Sequence, residues 1–177
     1  MSATGSPKFQ NKAWLWAIPL VWVALIALTS SSVITIPQLA AFVSNISGGR
    51  VTTEEFTQFW IQIWWLIVKG WHCTQFGLLF LFFRLLFRGD ILKPAMIAGI
   101  LAVLDELHQT SVPGRGGRFS DMCIDWLGIG VAVLLIHWKT NPAQSDGEKV
   151  IRLALVPLGL MLLYWLSVNP SPMIRFG

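Results

Sequence analysis

Phe56 to Phe87 reads FTQFWIQIWWLIVKGWHCTQFGLLFLFFRLLF, an apolar run broken by two charges, Lys69 and Arg84. As one helix its roughly 32 residues would run about 48 Å at 1.5 Å per residue. A hydrocarbon core is about 30 Å thick, so one end projects or the helix breaks at Gly70. Arg84, Arg88 and Lys93 close the run off, and Thr52-Thr53-Glu54-Glu55 before it resembles a helix start with acids in its first turn. Such a stretch has lipid for its solvent, and the segments on either side repeat the pattern.

No charge occurs between Lys12 and Arg50, and Ala13–Leu28 is the first span, with Pro19 as a kink site. Val33–Val43 is apolar but broken by Pro37, which suits an interfacial helix better than a crossing one. Pro94 opens a third span that runs to Thr110, a glycine- and arginine-rich loop comes next, and Asp121–Trp138 is the fourth, with Ser120 as its candidate cap. Val150–Val168 is the fifth, and Asn169-Pro170 ends it. The fold class expected is therefore an all-α polytopic membrane bundle of about five transmembrane helices, over residues 13–168, between a cytoplasmic tail 1–12 and a C-terminal tail 169–177.

Composition agrees. Of 177 residues 54% are hydrophobic and 12% charged, with a mean hydropathy of +0.62; soluble domains carry about 25% charged residues. The net charge of +4 is spread between helices and excludes a nucleic-acid partner. Cys73 and Cys123 fall in apolar segments and read as unreactive buried thiols. Lysines and arginines set the orientation. With the N-terminus inside, Lys8, Lys12, Arg84, Arg88, Lys93, Lys139, Lys149 and Arg152 lie inside, against Arg50, Arg115, Arg118 and Arg175 outside.

The ionisable residues inside the spans share one depth. Counting from the basic inner ends, Lys69 stands about 22 Å above Arg84, Asp105 about 18 Å above Lys93, and Asp125 about 21 Å above Lys139. His72, Glu106, His108, Gln109 and Asp121 lie within about a turn of that level. A charge in a span costs roughly 2.5–3.5 kcal/mol on insertion scales, so these groups are expected to face one another or a watered cavity. Asp105, His108 and Gln109 share one helix face, Lys69 and His72 a second, Asp121 and Asp125 a third. Glu106 is turned away from Asp105, toward a neighbouring face or an arginine. The loop Pro113-Gly114-Arg115-Gly116-Gly117-Arg118 lies directly above, a basic lip over an acidic pocket. Arg115 and Arg118 suit bidentate bonds to phosphate; the plainer role is to pair with Asp121, Asp125 or Glu106 and hold the loop down. Lys69 and Asp105 are equally suited to one structural ion pair. His137 reads as interfacial, Gly128 and Gly130 as close-packing positions, and the Phe and Leu residues from Phe76 to Phe87 as a lipid-facing surface or bundle contact.

DELHQTSVPGRGGRFSDMCIDWLG, Asp105–Gly128, resembles the signature of the VanZ-like membrane family: Asp-Glu-x-His-Gln, a Pro-Gly-Arg loop, Asp, then Asn or Asp, then Gly. KGWHCTQFGL, Lys69–Leu78, is similar to the family's lysine–histidine element, and Ser30–Ser32 to its serines after the first span. The resemblance covers about residues 66–138. It departs at Val68, where many members are acidic, and at Cys73, Thr74 and Gln75. It implies a bacterial plasma-membrane protein working near extracytoplasmic cell-wall lipid intermediates, since the namesake is an accessory protein associated with low-level teicoplanin resistance. It implies no particular reaction.

Three functions fit this pattern. One is an accessory protein holding an anionic membrane lipid, such as a polyprenyl-phosphate-linked cell-wall intermediate, with Arg115, Arg118, Lys69, Glu106, Gln109, Asp121 and Asp125 as ligand-binding residues. Another is an enzyme acting on a lipid-linked phosphate or ester, with His108 or His72 as nucleophile or base and Asp105 as orienter. No cofactor is required, although a divalent metal held by the histidines with Asp121 or Asp125 is compatible. The third is a proton-coupled channel or carrier, against which stand the absence of an inverted repeat and of ionisable groups below the layer.

Overall fold

The computed structural model describes residues 12–143 and 145–174; Lys8 and Arg175 lie outside them, as does nearly all of the expected cytoplasmic tail. One 3-10 turn (Lys12–Trp16) leads into α1 (Ala17–Ser31). Next come α2 (Ile36–Ile46), α3 (Thr53–Trp64), a π-helical stretch (Trp65–Lys69), α4 (Gly70–Leu86), α5 (Leu92–Ser111), α6 (Phe119–Thr140) and α7 (Asp146–Val168). The protein is an all-α membrane bundle. Four segments are long and apolar enough to cross a membrane: Trp14–Ser31, Thr53–Leu86, Phe119–Thr140 and Asp146–Val168. The fifth, α5, has 20 residues but carries Lys93, Asp105, Glu106 and His108, so its apolarity falls short. Much of the bundle's outer surface is apolar: Leu153 is 70% exposed, Met161 67% and Leu25 43%. Only a lipid solvent tolerates that over every outer helix.

The helix ends obey local chemistry. Thr35 and Gln38 form a capping box at the start of α2, where Pro37 occupies the first turn, and Thr52 and Glu55 form another at α3. Ser145 caps α7 through the amide of Glu148. At α6 the expectation needs correction. The helix begins at Phe119, so Ser120 lies inside its first turn, where its hydroxyl meets Ser171 and Asp121. Pro19 sits in the first turn of α1, directly after the 3-10 turn, so its missing N–H falls where the helix changes from 3-10 to α. With 11 residues, α2 is about 16 Å long and too short to cross; it pairs with α3 as a hairpin extending from the bundle. The helix from Thr53 to Leu86 does not break at Gly70. It widens instead into the π stretch immediately before it.

The core lies between α1, α4, α5 and α6. Phe76, Leu79, Phe80 and Phe83 of α4 are buried against Ile26, Ala98, Ala102, Ile129 and Ala132, so the phenylalanine-rich segment is a bundle contact along this face. The most extensive helix contact is α4 on α6, and glycine lets the two backbones approach. A Cβ on Gly128 would run into the carbonyl of Cys73, and one on Gly77 would stand 3.0 Å from the carbonyl oxygen of Gly128. Gly130 has nothing within 4 Å and plays no such part. Cys73 and Cys123 are free and half-buried. After α7 the chain turns back over the arginine loop: β2 (Met173–Ile174) pairs antiparallel with β1 (Gly117–Arg118).

Candidate functional site

The π stretch starts the site. An i→i+5 turn holds one more residue than an α turn and rotates the helix beyond it. Here Lys69 alone of its five residues is buried, and His72 stands three residues later on α4. From α6 come Asp121 and Asp125, a turn apart and both buried. From α5 come Asp105, Glu106 and Gln109, also buried. Ser30, at the end of α1, closes the fourth side.

These side chains form linked pairs. Lys69 Nζ lies 2.8 Å from Asp121 Oδ2, so the lysine's partner is Asp121 and not Asp105. His72 Nδ1 faces Asp125 Oδ1 at 3.4 Å. Asp105 Oδ2 accepts from Ser30 Oγ at 2.9 Å and from Gln109 Nε2 at 2.8 Å. Gln109 also reaches Glu106 Oε1 at 3.3 Å, and Glu106 Oε2 accepts from the backbone N–H of Arg118 at 2.7 Å. Glu106 thus holds the loop through its main chain, with no arginine side chain involved. Gly117 sits so close to the carbonyl of Glu106 that a Cβ would collide with it.

The two arginines diverge. Arg115 Nη1 donates to the carbonyl of Ser30 at 2.8 Å, on the α1 side. Arg118 borders a second cleft of about 160 Å³ between α5 and α6, lined by Val103, Leu107, Phe119 and Met122. Among the described residues its guanidinium makes no ion pair. A single two-arginine lip is therefore replaced by one cation on each side of α5. His108 is also apart from the buried cluster: it is exposed, and its Nε2 lies 2.9 Å from Ser31 Oγ. His108 and Asp105 end a cleft of about 140 Å³ between α1, α4 and α5, whose remaining walls, among them Val23, Ile26, Leu79 and Leu104, are apolar.

Electrostatics set the cluster's needs. Asp105, Glu106, Asp121 and Asp125 are paired with one full cation, Lys69, which lies on Asp121, while Arg115 bonds the Ser30 carbonyl, so the cluster carries an excess of negative charge when all four are ionised. Asp125 has no solvent exposure, and neither of its oxygens has a hydrogen-bond partner. The 3.4 Å approach of His72 is close enough for attraction but is not directed as a hydrogen bond, so His72 Nδ1 is orphaned as well. One ligand atom each from His72, Asp105 and Asp125 fall within 4.8 Å of one another, the set best placed to hold a metal among the described residues.

A model of the VanZ/LLP1 family matches residues 14–140, from the N-terminal end of the first span to the last residue of α6. The chain belongs to this family. Comparison with curated proteins and with solved structures gives no match. The family region contains every residue of the buried layer, whereas α7 and the tail strand lie beyond it. The sequence groups Lys69, His72, Asp105, Glu106, His108, Gln109, Asp121 and Asp125 at one depth; all of these but His108 come together in the linked cluster. It did not identify Ser31 as the partner of His108, nor Ser30 as a partner of both Asp105 and Arg115. The three serines closing the first span were the available signal.

Proposed function

We propose that the protein holds an anionic, phosphate-bearing envelope lipid in the bacterial plasma membrane, as an accessory protein of the kind tied to glycopeptide resistance. The lipid's chain would lie in the α1–α4–α5 cleft, with its phosphate at the outward end of α1. The observation that carries this is a head-and-tail division along α1. Val23, Ile26 and Ala27 line the apolar cleft. About a turn further on, adjacent residues anchor two nitrogen-rich side chains: Ser30 takes Arg115 and Ser31 takes His108. Arg115 uses one Nη on Ser30, which leaves further guanidinium N–H groups for a phosphate. A polyprenyl-phosphate-linked cell-wall intermediate has the required shape, a long apolar chain on a phosphate.

Native mass spectrometry of the purified protein in nanodiscs tests this with polyprenyl phosphate, the uncharged polyprenol and phosphatidylglycerol. Preferential retention of polyprenyl phosphate is expected. A charge-assisted hydrogen bond contributes about 1.5–3 kcal/mol, so Arg115→Ala should weaken retention about 10- to 100-fold. Leu104→Trp, which fills the cleft from an exposed position, should weaken it too. Equal retention by wild type and both variants refutes the assignment. Teicoplanin susceptibility of cells with and without the protein tests the resistance role.

The Ser31–His108 contact favours a second reading, an enzyme acting on a lipid-linked phosphate or ester. Once its hydroxyl turns from the Ala27 carbonyl that it now donates to at 2.7 Å, Ser31 Oγ would attack the phosphorus or ester carbon, His108 would take the hydroxyl proton and pass it to the departing oxygen as that bond breaks, and water would then release the group from Ser31. Turnover of polyprenyl pyrophosphate or a lipid-linked ester, lost in both Ser31→Ala and His108→Ala, would support it. No turnover by the wild type, with or without added divalent metal, would exclude it.

A further inference from the structure

We infer that His72, Asp105 and Asp125 form a binding site for a single divalent transition metal, Zn²⁺ or Mn²⁺, buried between α4, α5 and α6. Three observations converge on it. First, the donor atoms of the three residues lie within 4.8 Å of one another, though they come from three helices. Second, Asp125 is fully buried with both carboxylate oxygens unpartnered. An isolated carboxylate in a low-dielectric interior costs several kcal/mol, and the atoms facing it include an equally unpartnered imidazole nitrogen, His72 Nδ1. Third, the distance between those two donors is 3.4 Å. Donors bound at about 2.1 Å to one tetrahedral ion stand about 3.4 Å apart. No hydrogen bond forms across that separation, which suits a shared ion.

The charges agree. Lys69 already neutralises Asp121, and Glu106 is engaged by Gln109 and the Arg118 amide. Those donors solvate Glu106 without cancelling its charge, and Asp105 and Asp125 are the two carboxylates that border the candidate ion, whose double charge matches theirs. One nitrogen and two carboxylates make a mixed donor set, for which imidazole favours zinc and carboxylates also admit manganese. Asp105 comes oriented, since Ser30 and Gln109 both bond its Oδ2. Such partners fix the ligands of metal sites. The fourth position would belong to water or a ligand. Because Asp105 also ends the apolar cleft, the ion would lie just behind the polar end of the proposed lipid position. The site does not depend on that lipid.

Full-length protein, exchanged into metal-free nanodiscs of neutral lipid, is equilibrated with Zn²⁺, Mn²⁺ or Co²⁺, and bound metal is counted per chain. One equivalent is expected, with a rise in thermal stability and, for Co²⁺, the intense visible bands of four-coordinate cobalt. His72→Gln and Asp125→Asn should each weaken binding at least 10-fold, while His137→Gln, which removes an exposed imidazole in the last turn of α6, should bind like wild type. Should Asp125→Asn fail to fold, His72→Gln and the wild-type cobalt spectrum still decide. Wild type that binds none of the three ions at 100-fold molar excess overturns the site. So does metal binding that His72→Gln leaves intact. Neutral lipid without polyprenyl phosphate keeps this result separate from the lipid test.

Discussion

Replacing Lys69 by methionine removes the ammonium group 2.8 Å from Asp121 Oδ2 and keeps most of the side chain's volume. Both side chains are nearly withdrawn from solvent, at 8% and 10% exposure. The loss is therefore set by a carboxylate left without its counter-charge, and not by the small net value of an exposed pair. Breaking a buried pair from one side costs about 3–5 kcal/mol, whereas replacing both partners by apolar groups of similar volume is often neutral. The double variant Lys69→Met/Asp121→Leu should therefore recover most of what Lys69→Met loses, with a coupling of about 2 kcal/mol or more. The assay is reversible unfolding in mixed micelles, monitored by circular dichroism, for wild type, both single variants and the double. A Lys69→Met loss under about 1 kcal/mol, or a double variant as unstable as the sum of the singles, refutes the claim that this ion pair is buried and self-contained.

Gly128→Ala should destabilise the bundle by about 1–3 kcal/mol or more, because its Cβ runs into the backbone of Cys73 on α4; Gly130→Ala, with open space around it, should be neutral or slightly stabilising. The same unfolding assay separates the two, and equal losses would refute the glycine contact. Ser30→Ala removes one of two hydrogen bonds to Asp105 Oδ2 and should cost about 1–2 kcal/mol, with Ser32→Ala, which bonds only to its own helix, as the neutral control.

The bundle was legible because its signals are one-dimensional. Hydropathy and the spacing from basic helix ends place Lys69, Asp105 and Asp125 at one depth without any knowledge of neighbours. The capping pairs Thr52–Glu55 and Thr35–Gln38 are local in the same way, although only the first, with its adjacent acids, stands out in the sequence. What stayed hidden depends on azimuth. Depth says nothing of which carboxylate meets Lys69, because the π stretch at Trp65–Lys69 changes the helix phase by a fraction of a turn that no residue type announces. The i, i+3, i+4 pattern put Asp105, His108 and Gln109 on one face. A face is about 100° wide, however, and His108 falls at its edge, outside the packed seam. The short loop gave two arginines a common address in sequence, but α5 stands between them in space. Gly128 and Gly130 looked equivalent, and only one points at α4.

The pairing of Met173–Ile174 with Gly117–Arg118 means that β2 and the Pro-Gly-Arg loop share one face of the membrane. A reporter of membrane sidedness fused downstream of β2 therefore discloses the sidedness of Arg115 and Arg118 at the same time, with no need to disturb the loop. The same pairing warns that a bulky fusion placed directly at that end would crowd Arg118, and a spacer should precede it.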